Sequence, residues 1–316
     1  MNKNPLGSGP RDTGKEPFIW KVTRREFLKS SGAVAGGLLT GPGLAFMDEP
    51  GPKPQLRFGM VTDVHYADAA PHGERHYRES LAKMSECVRL MNAQKVDFLI
   101  ELGDFKDQGE PAREQYTLQY LETIEKLFRK FGGPRYHVLG NHDMDSLSKQ
   151  QFQSRITNKG IPGGSTYYSF NARGLHLVVL DANHTVHGSD YDHGNFDWKD
   201  ANIPAPELDW LSTDLASTSL PVIVFVHQLL DGEDDHCVRN AEQVRQMLQD
   251  NHRVLAVFQG HKHTGQQSYM EHIHYYTLKA MVTGSGDVNN SYAVVDVYDD
   301  QSIVVTGYRR AESIRM

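Results

Sequence analysis

Five short segments of the chain carry side chains of the kinds that bind metal ions, and each follows a run of apolar, strand-forming residues. These segments are Asp63-Val64-His65, Gly103-Asp104, Gly140-Asn141-His142-Asp143, His227 and Gly260-His261-Lys262-His263. Open α/β sheets bind ligands beyond the ends of their strands, so the five segments are predicted to meet. Carboxylate, amide and imidazole ligands without sulfur are typical of a two-metal hydrolase centre.

The spacing inside two of the segments supports this interpretation. Side chains two residues apart in an extended strand point the same way, which applies to Asp63 and His65 and again to His261 and His263. Asp63 and His65 are therefore expected to reach a common metal ion, and His261 and His263 show the same alternation. A two-metal site also needs one carboxylate shared between its ions.

The strands that must position these side chains are predicted at 56–62, 96–102, 136–139, 222–226 and 254–259. Helices are predicted near 78–93, 112–131, 207–215 and 241–249, a hairpin over 167–180, and further strands at 292–298 and 302–308. This order predicts two stacked mixed sheets flanked by helices, in a single catalytic domain at 55–316. The polar loop 183–206 is long enough to be either functional or disordered.

The first 45 residues resemble an export signal. Arg24 and Arg25 lie in a segment that resembles the twin-arginine motif, and the Gly-rich stretch 32–45 that follows is too short to span a membrane. A disordered basic tail is the alternative. We therefore expect a signal at 1–45, a linker at 46–54, and the twin-arginine export machinery as a partner. The protein is then expected to be periplasmic or secreted, without a stable membrane anchor.

The charge of the chain argues against one class of partner. The net charge is −7, and without residues 1–45 the remaining 26 basic and 37 acidic residues leave −11. Such a surface repels a polyanion, so no nucleic acid is expected as a partner. Of the two cysteines, Cys87 is expected in the core, and Cys237 lies in a polar loop that could border a pocket.

Together the five segments resemble the calcineurin-like metallophosphoesterase superfamily, over nearly all of residues 55–310. The resemblance implies an α/β (α+β) fold, a four-layer α-β-β-α sandwich of two mixed β-sheets flanked by helices. It also implies two divalent metal ions, with manganese favoured and iron or zinc as alternatives. By position, one ion takes Asp63, His65, Asp104 and His263. The other takes Asp104, Asn141, His227 and His261, so that Asp104 bridges the two.

The same resemblance implies a mechanism in which a hydroxide shared by the metals attacks phosphorus. His142 resembles the histidine that stabilises the transition state and protonates the leaving oxygen. Asp107 matches the carboxylate that orients this histidine in related phosphatases, with a solvated loop acid as the alternative. An aspartate there, in place of a metal-binding tyrosine, disfavours an iron–tyrosinate site. Asp143 is expected to brace its loop.

Segments outside the ligands are similar to the manganese-dependent ADP-ribose/CDP-alcohol diphosphatases. They are 58–68, 75–81, 180–182, 207–211 and 237–240. The similarity implies hydrolysis of a small phosphorylated substrate, a nucleoside diphosphate-X compound. Arg75 and Arg78 are candidate phosphate contacts because guanidinium pairs bidentately with phosphate, although a solvated helix start explains them equally well. Tyr66, Asn183 and Cys237 are candidate pocket residues, with surface loops as the alternative.

Two other functions remain open from the sequence. A general or cyclic-nucleotide phosphodiesterase, or a phosphomonoesterase, uses the same metal site with another pocket. A non-catalytic scaffold of the same fold is the third hypothesis, because fold alone does not define function. The complete set of ligand-type residues, together with His142, favours an enzyme over a scaffold.

Overall fold

The structure is a computed structural model that describes residues 52–316. The predicted export signal and most of the predicted linker lie outside the described residues, so both stay predictions. No helix in the described part of the chain is long and apolar enough to cross a membrane.

Twelve strands form within residues 52–316. They are β1 (Leu56–Val61), β2 (Phe98–Glu101), β3 (Arg135–His137), β4 (Tyr168–Ala172), β5 (Leu175–Val179), β6 (Val222–Phe225), β7 (Val254–Gln259), β8 (Gln266–Met270), β9 (Ile273–Thr277), β10 (Ser291–Val297), β11 (Ile303–Arg309) and β12 (Ile314–Arg315). The α-helices are α1 (Ser80–Gln94), α2 (Glu114–Phe128), α3 (Lys149–Gln153), α4 (Ala205–Ser217) and α5 (Ala241–Asp250). Short 3₁₀ turns cover Tyr77–Glu79, Asn141–Met144 and Asp287–Asn289.

The strands divide into two mixed sheets of six. The first has the order β12-β11-β10-β1-β2-β3, and the second has the order β4-β5-β6-β7-β9-β8. Strands β1, β2 and β3 run parallel, as do β5, β6, β7 and β9, whereas the outer strands pair antiparallel. The central parallel strands are apolar almost throughout because both of their faces are covered.

An aromatic cluster joins the two sheets face to face. The ring of Phe58 on β1 stacks on Phe98 with centroids 4.9 Å apart, and it meets Phe225 and Phe258 of the other sheet edge-on at 5.6 and 5.7 Å. Helices α1 and α2 cover the outer face of the first sheet, and α4 and α5 cover that of the second. This is the predicted four-layer α-β-β-α sandwich, so the fold prediction is confirmed.

Some elements differ from the sequence-based expectation. The predicted strands and helices are present with ends shifted by a few residues, while α3 and the β8–β9 hairpin were not predicted separately. Cys87 is buried on the core-facing side of α1, as expected, and both cysteines are free.

The long loop 183–206 is anchored rather than loose. The buried Lys149 ammonium lies 2.7 Å from Asp181 Oδ2, 3.0 Å from His184 Nε2 and 2.7 Å from Asp190 Oδ1. Burial raises the pKa of Asp181, but Lys149 outweighs this effect and lowers that pKa to about 2. One lysine of α3 thus fixes the path of the loop that follows β5.

Candidate metal centre

The carboxyl ends of five strands from both sheets meet at one edge of the sandwich. Backbone bonds continue past the strand ends, with Asp63 N donating to Gly103 O at 3.0 Å and His65 N donating to Asp104 O at 2.8 Å. Gly260 N donates to His227 O at 3.0 Å in the other sheet. The five segments singled out from the sequence are therefore neighbours in space.

Four overlapping groups of ligand-type atoms lie at this edge. Two of them consist only of predicted ligands, and Asp104 contacts both of these. One group is Asp63, His65 and His263, and the other is Asp104, His227 and His261, with the ligand atoms of each group within 4.8 Å of one another. Asp104 Oδ2 lies 3.2 Å from His227 Nε2 and 3.4 Å from His65 Nε2. A single carboxylate oxygen between the two groups has the placement that a bridging ligand needs.

Unpartnered polar atoms mark the same place and show that the residues present fit metal ions. Asp63 Oδ1, Asn141 Oδ1, His227 Nε2 and His261 Nε2 are buried and have no hydrogen-bond partner. Leaving a buried polar atom without a partner costs free energy, and a cation bound between these four atoms would remove that cost. Oxygen and imidazole nitrogen without thiolate suit manganese, iron or zinc.

Two of the imidazoles form hydrogen bonds through Nδ1, and these bonds orient Nε2 of each ring toward the cluster. His227 Nδ1 donates to Leu102 O at 2.7 Å, and His65 Nδ1 lies 3.1 Å from Asp107 Oδ2. A proton on Nδ1 leaves Nε2 with a free lone pair, which is the form that binds a metal. Asp107 therefore supports the ligand position of His65.

The backbone at the cluster is strained. Asp63, His65, Asp104 and His261 have φ values of 49°, 44°, 56° and 66°, in the left-handed region that these residues adopt at a cost. A Cβ at Gly140 would collide with the backbone nitrogen and the carboxylate of Asp104. Asp63 and His65 thus reach a common cluster, but tight left-handed turns place them there instead of the extended alternation expected from the sequence.

Charge in the cluster favours ionised carboxylates. Burial raises the pKa of Asp63, but the neighbouring imidazoles of His263 and His65 outweigh this effect, and the pKa of Asp63 lies below its usual value. Burial likewise opposes ionisation of Asp104, whereas His227 lowers its pKa well below the usual range. Burial holds the pKa of His261 well below its usual value, so that imidazole is neutral.

Asp143 braces the turn that carries Asp104, as expected. Its carboxylate accepts hydrogen bonds from the backbone nitrogens of Asp104 at 3.1 Å, Phe105 at 2.9 Å and Gly140 at 2.9 Å. These bonds join the second and third ligand segments and fix their distance.

A second brace, Glu101, was missed from the sequence. Glu101 Oε2 accepts from Gly103 N at 2.9 Å, and its Oε1 lies 2.9 Å from His137 Nδ1. Burial lowers the pKa of His137, but Glu125 and Glu101 raise it to about 9. A glutamate in an otherwise apolar strand, two residues before Gly103, was the signal available for it.

The predicted pairing of His142 with Asp107 differs from the structure. His142 Nδ1 lies 2.7 Å from Asp145 Oδ2, whereas Asp107 Oδ2 is 3.9 Å away and faces His65. The reason is local: His142 belongs to the 3₁₀ turn Asn141–Met144, in which side chains three residues apart lie on the same side. The hydrogen-bonded partner of His142 is therefore Asp145.

A cavity of about 330 Å³ opens beside the cluster. Its lining residues are Arg75, Asp104, Asn141, His142, Trp198, His236, His261, Lys262, His263 and Thr264. Arg75 Nη1 lies 3.4 Å from His142 Nε2 and 3.6 Å from Asp107 Oδ2. Arg75 is the one predicted substrate-binding residue among these lining residues.

The other four predicted substrate-binding residues lie elsewhere. Tyr66 and Asn183 are buried side chains away from the lining, and Arg78 Nε donates to Asp68 Oδ1 at 2.5 Å. Cys237 is half-buried, and burial raises the pKa of its thiol. None of the four lines the cavity.

Trp198 was missed from the sequence, although an aromatic residue in a polar loop is a usable signal. Its side chain is 37% exposed, and its ring lies 5.5 Å from the His261 ring and 5.3 Å from the His236 ring. Lys199 lies over the Trp198 ring at 5.4 Å and forms a 2.7 Å ion pair with Asp235. Loop 183–206 thereby places an accessible aromatic face beside the predicted ligands.

Comparison with known proteins agrees with the fold and with the cluster. Residues 56–265, which include every predicted ligand, match the family described as calcineurin-like phosphoesterase. A rice protein (Oryza sativa) named manganese-dependent ADP-ribose/CDP-alcohol diphosphatase is 26% identical over 83% of this chain and 94% of its own. A Psychrobacter arcticus protein named probable cyclic nucleotide phosphodiesterase is 21% identical over 72% of this chain and 80% of its own. A solved dimetal phosphatase from Danio rerio shares the fold, with a TM-score of 0.73 at 22% identity over 83% of this chain and 99% of that one.

We expect the chain to bind two Mn²⁺ ions and His227→Ala to retain one, because this change leaves the group of Asp63, His65 and His263 intact. Metal content after desalting, measured by mass spectrometry, checks this expectation. His176→Ala is the matched control, since His176 pairs with Asp214 outside the cluster. Two ions retained by a folded His227→Ala variant would contradict the assignment.

Proposed function

The chain belongs to the calcineurin-like phosphoesterase family, and we propose that it hydrolyses nucleoside diphosphate-X compounds such as ADP-ribose and CDP-alcohols. It is a metal-dependent phosphoester hydrolase. One observation carries the finer proposal: a single cavity combines the metal-type cluster with Arg75, His142 and the exposed face of Trp198. This combination suits a substrate that carries both phosphates and an aromatic base.

The cluster would hold two divalent ions, for which we propose manganese. One set is Asp63, His65, Asp104 and His263, and the other is Asp104, Asn141, His227 and His261. When bound, the two ions supply Lewis acidity and a nucleophile for in-line displacement at phosphorus. Two carboxylates against two dications leave the site positive, which favours an anionic diphosphate.

Arg75 and His142 would act on the phosphate from the cavity wall. The Arg75 guanidinium lines the cavity and would pair with non-bridging oxygens, since its contacts to His142 Nε2 and Asp107 Oδ2 are long, at 3.4 and 3.6 Å. With Nδ1 bonded to Asp145, His142 presents Nε2 toward the cavity. We propose that this nitrogen gives its proton to the leaving oxygen.

Trp198 would distinguish a nucleotide from a simple phosphoester. A nucleobase stacks favourably on an indole face, with a contribution of about 1–3 kcal/mol per stacked base in proteins that bind single strands. The His236 ring lies 5.3 Å from the Trp198 ring, and Lys199 Nζ lies 5.4 Å from its centroid, so both side chains pack against the indole. The phosphates and the base can thus be held within one cavity.

Cyclic-nucleotide phosphodiesterase activity is the second candidate. The observation in its favour is the Psychrobacter arcticus relative with that name, which aligns over most of its length. The same metal cluster and the same aromatic face would serve a cyclic nucleotide, so only substrates separate the two candidates.

We expect the Mn²⁺-loaded chain to release AMP from ADP-ribose and CMP from CDP-choline. His142→Ala should lower kcat by about 10²- to 10⁴-fold, the range lost with a general acid. Chromatography of the products checks this, with a cyclic nucleotide and p-nitrophenyl phosphate assayed in parallel. Preference for the cyclic nucleotide would favour the second candidate, and no turnover with two metals bound would favour the scaffold.

We expect Trp198→Ala to weaken inhibition by the product CMP about tenfold, because the base loses its stacking partner. Inhibition by inorganic phosphate should stay unchanged, since the indole does not contact phosphate. Inhibition constants of CMP and of phosphate, measured for the unmodified chain and for Trp198→Ala, test this. Tyr269→Ala, which removes an equally exposed aromatic ring outside the cavity, is the control. An equal loss for both inhibitors would contradict the stacking role.

We also propose that residues 1–45 direct export of the folded protein, on the support of the twin-arginine motif in the sequence. Replacing Arg24 and Arg25 by lysine should retain the protein in the cytoplasm. Fractionation of cells that express the full chain measures this. Unchanged export of the double variant would refute the proposal.

A further inference from the structure

We propose that Asp145 is the positioning residue for His142, and that Asp107 instead positions His65 within the metal cluster. This inference rests on the proposed function, because it concerns the residue that would protonate the leaving group. The sequence resemblance implied that Asp107 orients His142. In this proposal Asp145 orients His142, and Asp107 orients His65.

The backbone of His142 is already held at both ends. Its nitrogen donates to Asp104 Oδ1 at 2.8 Å, and its carbonyl oxygen accepts a hydrogen bond from the buried ammonium of Lys106. The peptide therefore cannot move relative to the cluster, and only side-chain rotation remains free. Whatever binds Nδ1 decides where Nε2 points.

Asp145 is the group that binds Nδ1. The 3₁₀ turn Asn141–Met144 places residue 145 above residue 142, and the Nδ1–Oδ2 distance is 2.7 Å. Asp145 is largely shielded from water, at 12% side-chain exposure, so the bond is not lost to solvent.

Asp107 is occupied elsewhere. Its Oδ2 lies 3.1 Å from His65 Nδ1, and its Oδ1 accepts from Gln108 N at 2.7 Å. The remaining contact to His142 is 3.9 Å, too long for a hydrogen bond. The two carboxylates thus serve two different imidazoles.

The Arg75 guanidinium lies beside these residues, with Nη1 3.6 Å from Asp107 Oδ2 and 3.4 Å from His142 Nε2. A metal ion held by Asp107, His142 and Asp145 would compete with this guanidinium for the same space. We therefore assign Asp145 to positioning His142 and not to a third metal site.

The step that Asp145 supports is a proton transfer. As the P–O bond to the leaving group breaks, its electron pair stays on the leaving oxygen, and the proton of His142 Nε2 moves to that oxygen. Solvent later returns a proton to His142. Asp145 keeps the Nδ1 proton and the ring direction unchanged throughout.

The test uses the Mn²⁺-loaded full chain and a series of CMP aryl esters with leaving groups from p-nitrophenol to p-methoxyphenol. We expect Asp145→Asn to lower kcat about 10- to 100-fold for the poorest leaving group, only slightly for p-nitrophenol, and to leave KM unchanged. His142→Ala should likewise make kcat depend more steeply on the pKa of the leaving group. Asp145→Glu should recover part of the loss.

Asp107→Asn is the matched control because it makes the same change at the other carboxylate. We expect it to weaken Mn²⁺ binding about 10- to 100-fold in competition with a chelator. At saturating Mn²⁺ its leaving-group dependence should match that of the unmodified chain. Asp145→Asn should leave Mn²⁺ affinity unchanged. Reversal of the two phenotypes would overturn the inference.

A second measurement does not depend on turnover. In the Zn²⁺-loaded, ¹⁵N-histidine-labelled chain, we expect the Nδ1 proton of His142 to give a slowly exchanging signal. Asp145→Asn should remove it, and Asp107→Asn should preserve it. If the unmodified chain cleaves neither this series nor ADP-ribose and CDP-choline, the proposed function fails, and this signal still decides the positioning role. A signal lost only in Asp107→Asn would refute that role.

Discussion

The site depends on the placement of one buried carboxylate between two imidazole groups. Asp104 Oδ2 faces His65 of one sheet and His227 of the other, although each sheet contributes its own strand ends. Such a charge is tolerable in the interior only with compensating partners on every side. The braces supplied by Asp143, the absence of a side chain at Gly140 and the left-handed backbone of residue 104 all serve to keep it there.

The rest of the sandwich makes that placement rigid. Rings from both sheets interlock around Phe58, so the sheets cannot slide without breaking close-packed contacts. Hence the strand ends hold ligand atoms from distant parts of the sequence at fixed separations. Orphaned atoms such as Asp63 Oδ1 and His261 Nε2 persist because the scaffold prevents them from relaxing toward one another.

The sequence predicted the sheets and the meeting of the ligand segments, because apolar runs that end in Asp, Asn or His report both burial and position. It could not predict contacts that depend on local turns. The choice between Asp145 and Asp107 follows from a 3₁₀ turn, and the left-handed residues at 63 and 65 leave no trace in residue spacing. Trp198 was missed because its direction is set by loop contacts, while Asn183 has a suggestive position and yet is buried.

The anchoring of loop 183–206 has a consequence for recognition. Lys149 holds its beginning through Asp181 and Asp190, and the Lys199–Asp235 ion pair ties it to a neighbouring segment beside Trp198. Loop 183–206 thereby loses its conformational entropy when the protein folds, and not when a ligand binds in the cavity that Trp198 lines. A ligand would then meet a preorganised surface, and its selection would depend on shape at first contact and not on the closure of a hinged lid.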